Sequence, residues 1–171
     1  MDIKDLLSEK RTDIVRGWFD LILKTYPQET AIFLKDQKDM FANPVGQTIL
    51  SGIEDLFDEI VNGPDSEKVN EYLDNIIRIR AVQDFSPSDA IGFLFLLKKV
   101  IRDELVADIR RYDLFEELLV VESGIDDLAG ISFDIFMKCR EKLYDLKANE
   151  VRNWTCRLLK RANMVKEVPA E

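Results

Sequence analysis

The residues with the most chemical potential in this chain stand close together, Arg78, Arg80, Gln83 and Asp84, at the C-terminal end of a helical pattern. Arg80 and Asp84 are four positions apart, the spacing at which opposite charges meet across one helical turn. One reading is a hydrogen-bond and ion-pair cluster that fixes the turn before Ser86. The sharper one has Arg80 and Gln83 orienting a small acidic or amphiphilic ligand against an apolar wall of Phe93, Phe95 and Leu97. The carboxylate pairs Asp36 with Asp39 and Asp126 with Asp127 have the right groups for acid/base work, but an acid-rich chain contains many such pairs by chance.

The chain contains no histidine. A histidine-ligated haem, a His-containing zinc site, a Glu-x-x-His di-iron bundle and any Ser/His or Cys/His nucleophile pair therefore lack an essential member. Gly63-Pro64 and Gly124 are single breaks in the pattern and make no Gly-rich phosphate cradle. No catalytic residue, metal-ligand set or cofactor is expected, and the chain reads as a non-enzyme.

Charge is distributed unevenly. Residues 138–171 hold nine Lys/Arg against five Asp/Glu, a balance of +4, which leaves −13 for residues 1–137 out of a net −9. That overall acidity argues against nucleic-acid binding, which needs a basic face. From Val151 to Lys166 there are five basic residues and no acid, with Val151, Trp154 and Leu158 interleaved, so this stretch is a basic amphipathic helix. Val151, Trp154, Arg157, Leu158 and Arg161 are its candidate contact residues. A dimer-forming or partner-docking helix, a solvated extension and a membrane-surface anchor are the alternatives, and an exposed Trp154 favours docking.

At 171 residues, with 46% hydrophobic and 33% charged residues, the chain can bury a core without disulfides or metals. Apolar spacings of three and four recur along it, and no alternation is long enough for a confident strand. The expected elements are a helix from Asp2 to Thr25, a short helix at Gln28–Leu34, and a loop or lid over Lys35–Pro44. Helices then follow at Val45–Asn62, from Ser66 as cap to about Gln83, and from Ser86-Pro87 to about Arg110. An acidic helix at Asp113–Glu122, broken near Ser123-Gly124, precedes a long helix from Ile125 to Ala162 in which Gly130 can introduce a bend. Ile91, Phe93, Leu94, Phe95, Leu96 and Leu97 cover the whole circumference of their helix, which places it at the centre of the core.

On the last helix Ile131, Ile135, Cys139, Leu143 and Leu146 share one face. Cys139 and Cys156 lie seventeen positions apart on that helix, roughly 25 Å, so they are expected as free thiols, Cys139 as a buried apolar side chain. The N-terminus has no signal-peptide pattern, and the longest apolar run, Ala90–Leu97, ends at Lys98-Lys99. A cytoplasmic protein that does not span a membrane is expected.

Several blocks carry a family resemblance: Thr25-Tyr-Pro-Gln-Glu-Thr30, Phe41-Ala-Asn-Pro-Val-Gly46, Arg78-Ile-Arg-Ala-Val-Gln-Asp-Phe-Ser-Pro-Ser88, Gly92-Phe-Leu-Phe-Leu-Leu-Lys98 and Phe133-Asp-Ile-Phe-Met-Lys-Cys-Arg-Glu-Lys142. Over roughly residues 10–155 the chain resembles the N-terminal domain of RsbT co-antagonist proteins of the RsbRD type. The resemblance implies a non-haem, globin-like sensory domain, usually dimeric, in bacterial signalling. Within 171 residues there is no room for the STAS output domain that often follows such domains, so a stand-alone module is expected.

The sequence therefore predicts an all-α, single-domain, globin-like bundle of six or seven helices with a long C-terminal helix, residues 151–171 forming an extension. As function it predicts a sensory or regulatory module that acts by protein contact, a homodimer with an unidentified downstream signalling partner. The alternatives are a binding protein for a small apolar, fatty-acid-like ligand and a constitutive assembly subunit.

Overall fold

The structure, a computed structural model, describes residues 2–36 and 41–162. Within these the chain is all-α, with seven helices: α1 (Ile3–Glu9), α2 (Arg11–Leu23), α3 (Gln28–Asp36), α4 (Pro44–Asn62), α5 (Ser66–Val82), α6 (Pro87–Tyr112) and α7 (Phe115–Arg161). Two compact units are distinguished, Met1–Phe136 and Met137–Glu171.

In the first unit α4 packs along α5 and α2 along α6. The buried layer between them contains Ile14, Trp18, Ile22, Ile53, Leu56, Phe57, Leu73, Ile77, Phe93, Leu94, Leu97 and Ile101. α2 and α6 approach closely at Gly17, where a Cβ would lie 3.1 Å from Val100 Cγ1. A helical glycine costs roughly 1 kcal/mol relative to alanine, and here it makes room for the Val100 methyl.

Local signals set most of the helix ends. Asn43 caps α4 by accepting from the Gly46 N–H at 2.9 Å, while its own amide donates to Leu34 O at 2.9 Å, joining α3 to α4. Gly63, at φ 110°, ends α4 in a conformation that disfavours a side chain. Ser86 caps α6 and Pro87 occupies its first turn. α6 closes with Asp113 in the left-handed region (φ 54°) and Leu114 N–H donating back to Ile109 O, a Schellman-type end. Glycine takes that conformation without the Cβ penalty. Asp113→Gly should therefore raise stability by about 0.5–1 kcal/mol, read as a higher denaturant midpoint at unchanged slope.

Several expectations are corrected. The single helix Asp2–Thr25 is two helices, because Lys10 (φ −92°, ψ 7°) leaves the α region and a capping box of Asp2 and Asp5 starts α1 independently. The Ile3 N–H donates to Glu117 Oε2 at 2.8 Å, anchoring α1 against the start of α7. α5 is capped by Asp65, whose carboxylate accepts from the Glu67 N–H, and not by Ser66. No break occurs at Ser123-Gly124: Phe115–Arg161 is continuous, since one exposed glycine lowers helix propensity without removing a backbone hydrogen bond.

α6 is not apolar all round. Phe93, Leu94 and Leu97 are buried, but Phe95 is 46% exposed, because its turn of the helix points away from α2. Cys139 is half-buried and Cys156 exposed, and neither forms a disulfide. Asp39 and the central part of the proposed lid lie outside the described residues, as does the extension beyond Ala162 with Val165 and Lys166.

Candidate functional site

Arg80 turns into the protein and is completely buried. Its α-helical position on the face shared by Leu73, Ile76 and Ile77 forces this orientation. The i,i+4 ion pair of α5 is Arg78 with Asp74. Arg80 Nη2 instead donates to Thr25 Oγ1 at 3.1 Å and to Asp89 O at 3.0 Å, tying the end of α2 to the first turn of α6.

The guanidinium lies over the Phe85 ring at 4.2 Å, with Tyr26 at 5.5 Å and Phe93 at 5.9 Å. Three ring faces take the place of a carboxylate as surroundings for the cation. Its Nε and Nη1 make no hydrogen bond. Burial pushes the guanidinium pKa below its ordinary value, opposed by Tyr26 and Asp89.

Beside this cluster lies a depression of about 410 Å³ lined by Tyr26, Thr30, Gln83, Phe85, Ser86 and Asp89. The Tyr26 hydroxyl donates to Gln83 Oε1 at 3.0 Å, and the Tyr26 ring meets Phe85 edge-on at 5.2 Å. Burial raises the Tyr26 pKa above the usual phenol range, against the pull of Arg80. A phenol whose folded pKa is raised holds its proton longer in the folded state, so the associated stability is intact below pH 10 and is lost as pH climbs through the folded value. Replacing Tyr26 by Phe should flatten the alkaline limb of a stability-versus-pH curve above about pH 10 while leaving its neutral region parallel to wild type.

Of the predicted ligand group, then, Arg80 and Gln83 sit around Tyr26 and Phe85, and Phe93 backs Arg80. Phe95 lines a separate surface depression with Lys98, Lys99, Arg102 and Asp103. Leu97 is buried in the packed core.

A second cluster escaped the sequence reading. Arg102 Nε and Nη2 donate to the two Glu122 oxygens at 2.5 and 2.6 Å, linking α6 to α7. The pair is asymmetric: the Glu122 side chain is 6% exposed and that of Arg102 59%. The carboxylate raises the Arg102 pKa. Above it Val106, Ile109, Phe115, Leu118 and Leu119 line an apolar depression of about 380 Å³. The available signal was an acid inside the apolar stripe Leu118, Glu122, Ile125 and Ala129. Truncating the exposed partner strands a buried carboxylate, so Arg102→Ala should cost about 2–4 kcal/mol and Glu122→Leu much less, checked by paired denaturant melts.

The second unit carries the predicted contact residues of α7. Val151, Trp154 and Leu158 are exposed, Trp154 at 64%, together with Tyr144 and Leu146. Arg157 and Arg161 are exposed beside them. Leu146, Glu150, Val151, Trp154 and Arg157 line a surface depression of about 640 Å³. Among the described residues no helix is long and apolar enough to cross a membrane, and no group of three His, Cys, Asp or Glu is placed to hold a metal ion.

An all-α chain with a buried cation–aromatic cluster and an apolar face exposed on its last helix falls in the class of small helical domains. Residues 12–151 match the RsbT co-antagonist protein rsbRD N-terminal domain, and the chain belongs to that family of signalling and regulatory domains. A protein of Archaeoglobus fulgidus described as uncharacterized is 25% identical over 141 residues, covering 82% of this chain and 83% of its own. No solved structure matches.

Proposed function

We propose that this chain is a cytoplasmic sensory or regulatory module that acts through protein contact, as a homodimer, on a downstream signalling protein. The observation that carries this reading is the row of large apolar side chains exposed on α7, Tyr144, Leu146, Val151, Trp154 and Leu158. Side chains of that size gain about 1.5–3 kcal/mol each on full burial, and among them stand Arg152, Arg157 and Arg161, which give the face a sign. Membership of a regulatory family supports the same reading. A signal acts on such a module only through unequal affinity for two packings.

The test is sedimentation equilibrium of the full chain beside Trp154→Glu/Leu158→Glu. The wild type should associate reversibly with concentration, and the variant should stay monomeric with an unchanged melting curve. A wild type that remains monomeric at several hundred micromolar sinks the homodimer.

A second reading, a small-ligand sensor, is favoured by Arg80 Nε and Nη1, buried donors that make no hydrogen bond beside the depression at Gln83. An acceptor-rich ligand reaching them would satisfy two costly groups. Native mass spectra should then show an excess mass that vanishes on denaturation and is missing from Arg80→Met; a bare wild-type mass leaves the contact reading alone.

A further inference from the structure

The second unit of α7 contains a heptad seam. Tyr144, Val151 and Leu158 recur at intervals of seven, and Lys147, Trp154 and Arg161 follow each by three, so the two sets alternate as a and d positions along one exposed face. Every a position is apolar. Two of the three d positions are cationic, an unusual composition for a seam that joins two like helices side by side.

Orientation decides whether this composition can work. In a parallel pair each residue faces its own copy, placing Lys147 on Lys147 and Arg161 on Arg161, two layers of like charge. The flanks gain nothing in return, since Glu150 then faces Thr155 and Arg157 faces Ala162. In an antiparallel pair a positions face d positions. Val151 meets Trp154, Tyr144 meets Arg161, and Leu158 meets the stem of Lys147, each twice by the two-fold symmetry.

The second arrangement leaves no like-charge layer. It sets a guanidinium against a phenol ring and lets the lysine ammonium reach past leucine to water. It also brings Glu150 of each helix opposite Arg157 of the other. Within one helix those two residues are seven positions, about 10 Å, apart along the axis and cannot pair. Leu146, Glu150, Val151, Trp154 and Arg157 line one depression on this helix, which spans the centre of the seam.

We infer that residues 144–161 form an antiparallel coiled-coil contact with a second copy of this chain, centred between Val151 and Trp154 and registered by two Glu150–Arg157 ion pairs. This rests on the self-association proposed above and adds its direction and register. At two and a half heptads the seam is short and the association weak and concentration-dependent.

The charge pair gives the decisive experiment, using the full chain. Glu150→Arg and Arg157→Glu should each weaken self-association about tenfold or more, because each creates two like-charge pairs, and the double swap should return to within about threefold of wild type. Both sites are exposed, so melting curves should not move. Nitroxide distances complete the test in Cys139→Ser/Cys156→Ser protein.

A label at Thr155→Cys lies near the two-fold axis. It should report a separation of about 20 Å or less in either orientation, and so reads dimerisation itself. A label at Glu141→Cys should report about 35 Å when antiparallel, its counterpart lying 23 residues along the helix, and about 20 Å or less when parallel. Short distances at both sites, or a double swap that does not recover, overturn the antiparallel register while leaving the homodimer. No coupling at either site overturns both.

Discussion

Arg80→Ala should lose about 3–5 kcal/mol of stability, as much as truncating a buried aromatic residue. The guanidinium fills a completely buried position and is held by Thr25 Oγ1, Asp89 O and the Phe85 ring. Truncation opens a cavity between α2, α5 and α6 and removes a donor group that bridges them. Arg80→Met separates the contributions. It keeps most of the volume and drops the two hydrogen bonds and the ring contact, so it should lose only about 1–2 kcal/mol.

Arg80→Lys should fall between them. A lysine ammonium retains the charge but cannot lie flat on Phe85 or span both acceptors. The order Met, Lys, Ala in midpoints of urea denaturation, at unchanged slope, is the expected result. If Ala and Met destabilise equally, the cavity carries nothing and the hydrogen bonds carry all of it. If Lys is the mildest, the charge matters more than the shape.

Arg80 also shows where a single sequence becomes opaque. The segment stands out for its residue types, and the helix phase that puts Arg80 in line with Leu73, Ile76 and Ile77 is present in the spacing. An arginine is nonetheless expected to reach water, and an i,i+4 acid offered an exposed partner in Asp84. Asp84 instead takes the left-handed conformation that ends α5. Helix ends written in chemistry were legible: Gly63-Pro64 and Ser86-Pro87 mark the boundaries of α4 and α6.

Ends written only in backbone geometry were not. Nothing in the run Ser8-Glu-Lys-Arg-Thr12 distinguishes the kink at Lys10 from continued helix, and nothing in Ser123-Gly124 says that a helix passes through. Phe95 reads as a pocket residue in the sequence because the unbroken run Ala90–Leu97 hides which face is inward; the neighbours on α2 decide it. The exposed face of α7 was read from period and charge together, and those two patterns survive without tertiary context.

Trp18 anchors the other side of the Arg80 region. Its ring stacks on Phe93 at 6.0 Å between centroids with 12° between planes, and its Nε1–H donates to Phe93 O at 2.6 Å. The indole is wholly buried, so it needs that acceptor, and the acceptor is the backbone carbonyl of Phe93, the α6 residue whose ring backs Arg80. Trp18→Ala should cost about 3–5 kcal/mol. Trp18→Phe keeps the stack and loses the hydrogen bond and part of the area, for about 1–2 kcal/mol.

The milder variant also isolates Trp154, the chain's other tryptophan. In dilute Trp18→Phe protein the emission should be that of a solvent-exposed indole. As concentration rises into the range where sedimentation detects dimers, it should move to shorter wavelength, because Trp154 becomes covered by Val151 of the second copy. In Trp18→Phe/Glu150→Arg the shift should require about tenfold more protein. A spectrum that stays red throughout the dimeric range would place the dimer contact elsewhere on the molecule and leave the α7 face for a different partner.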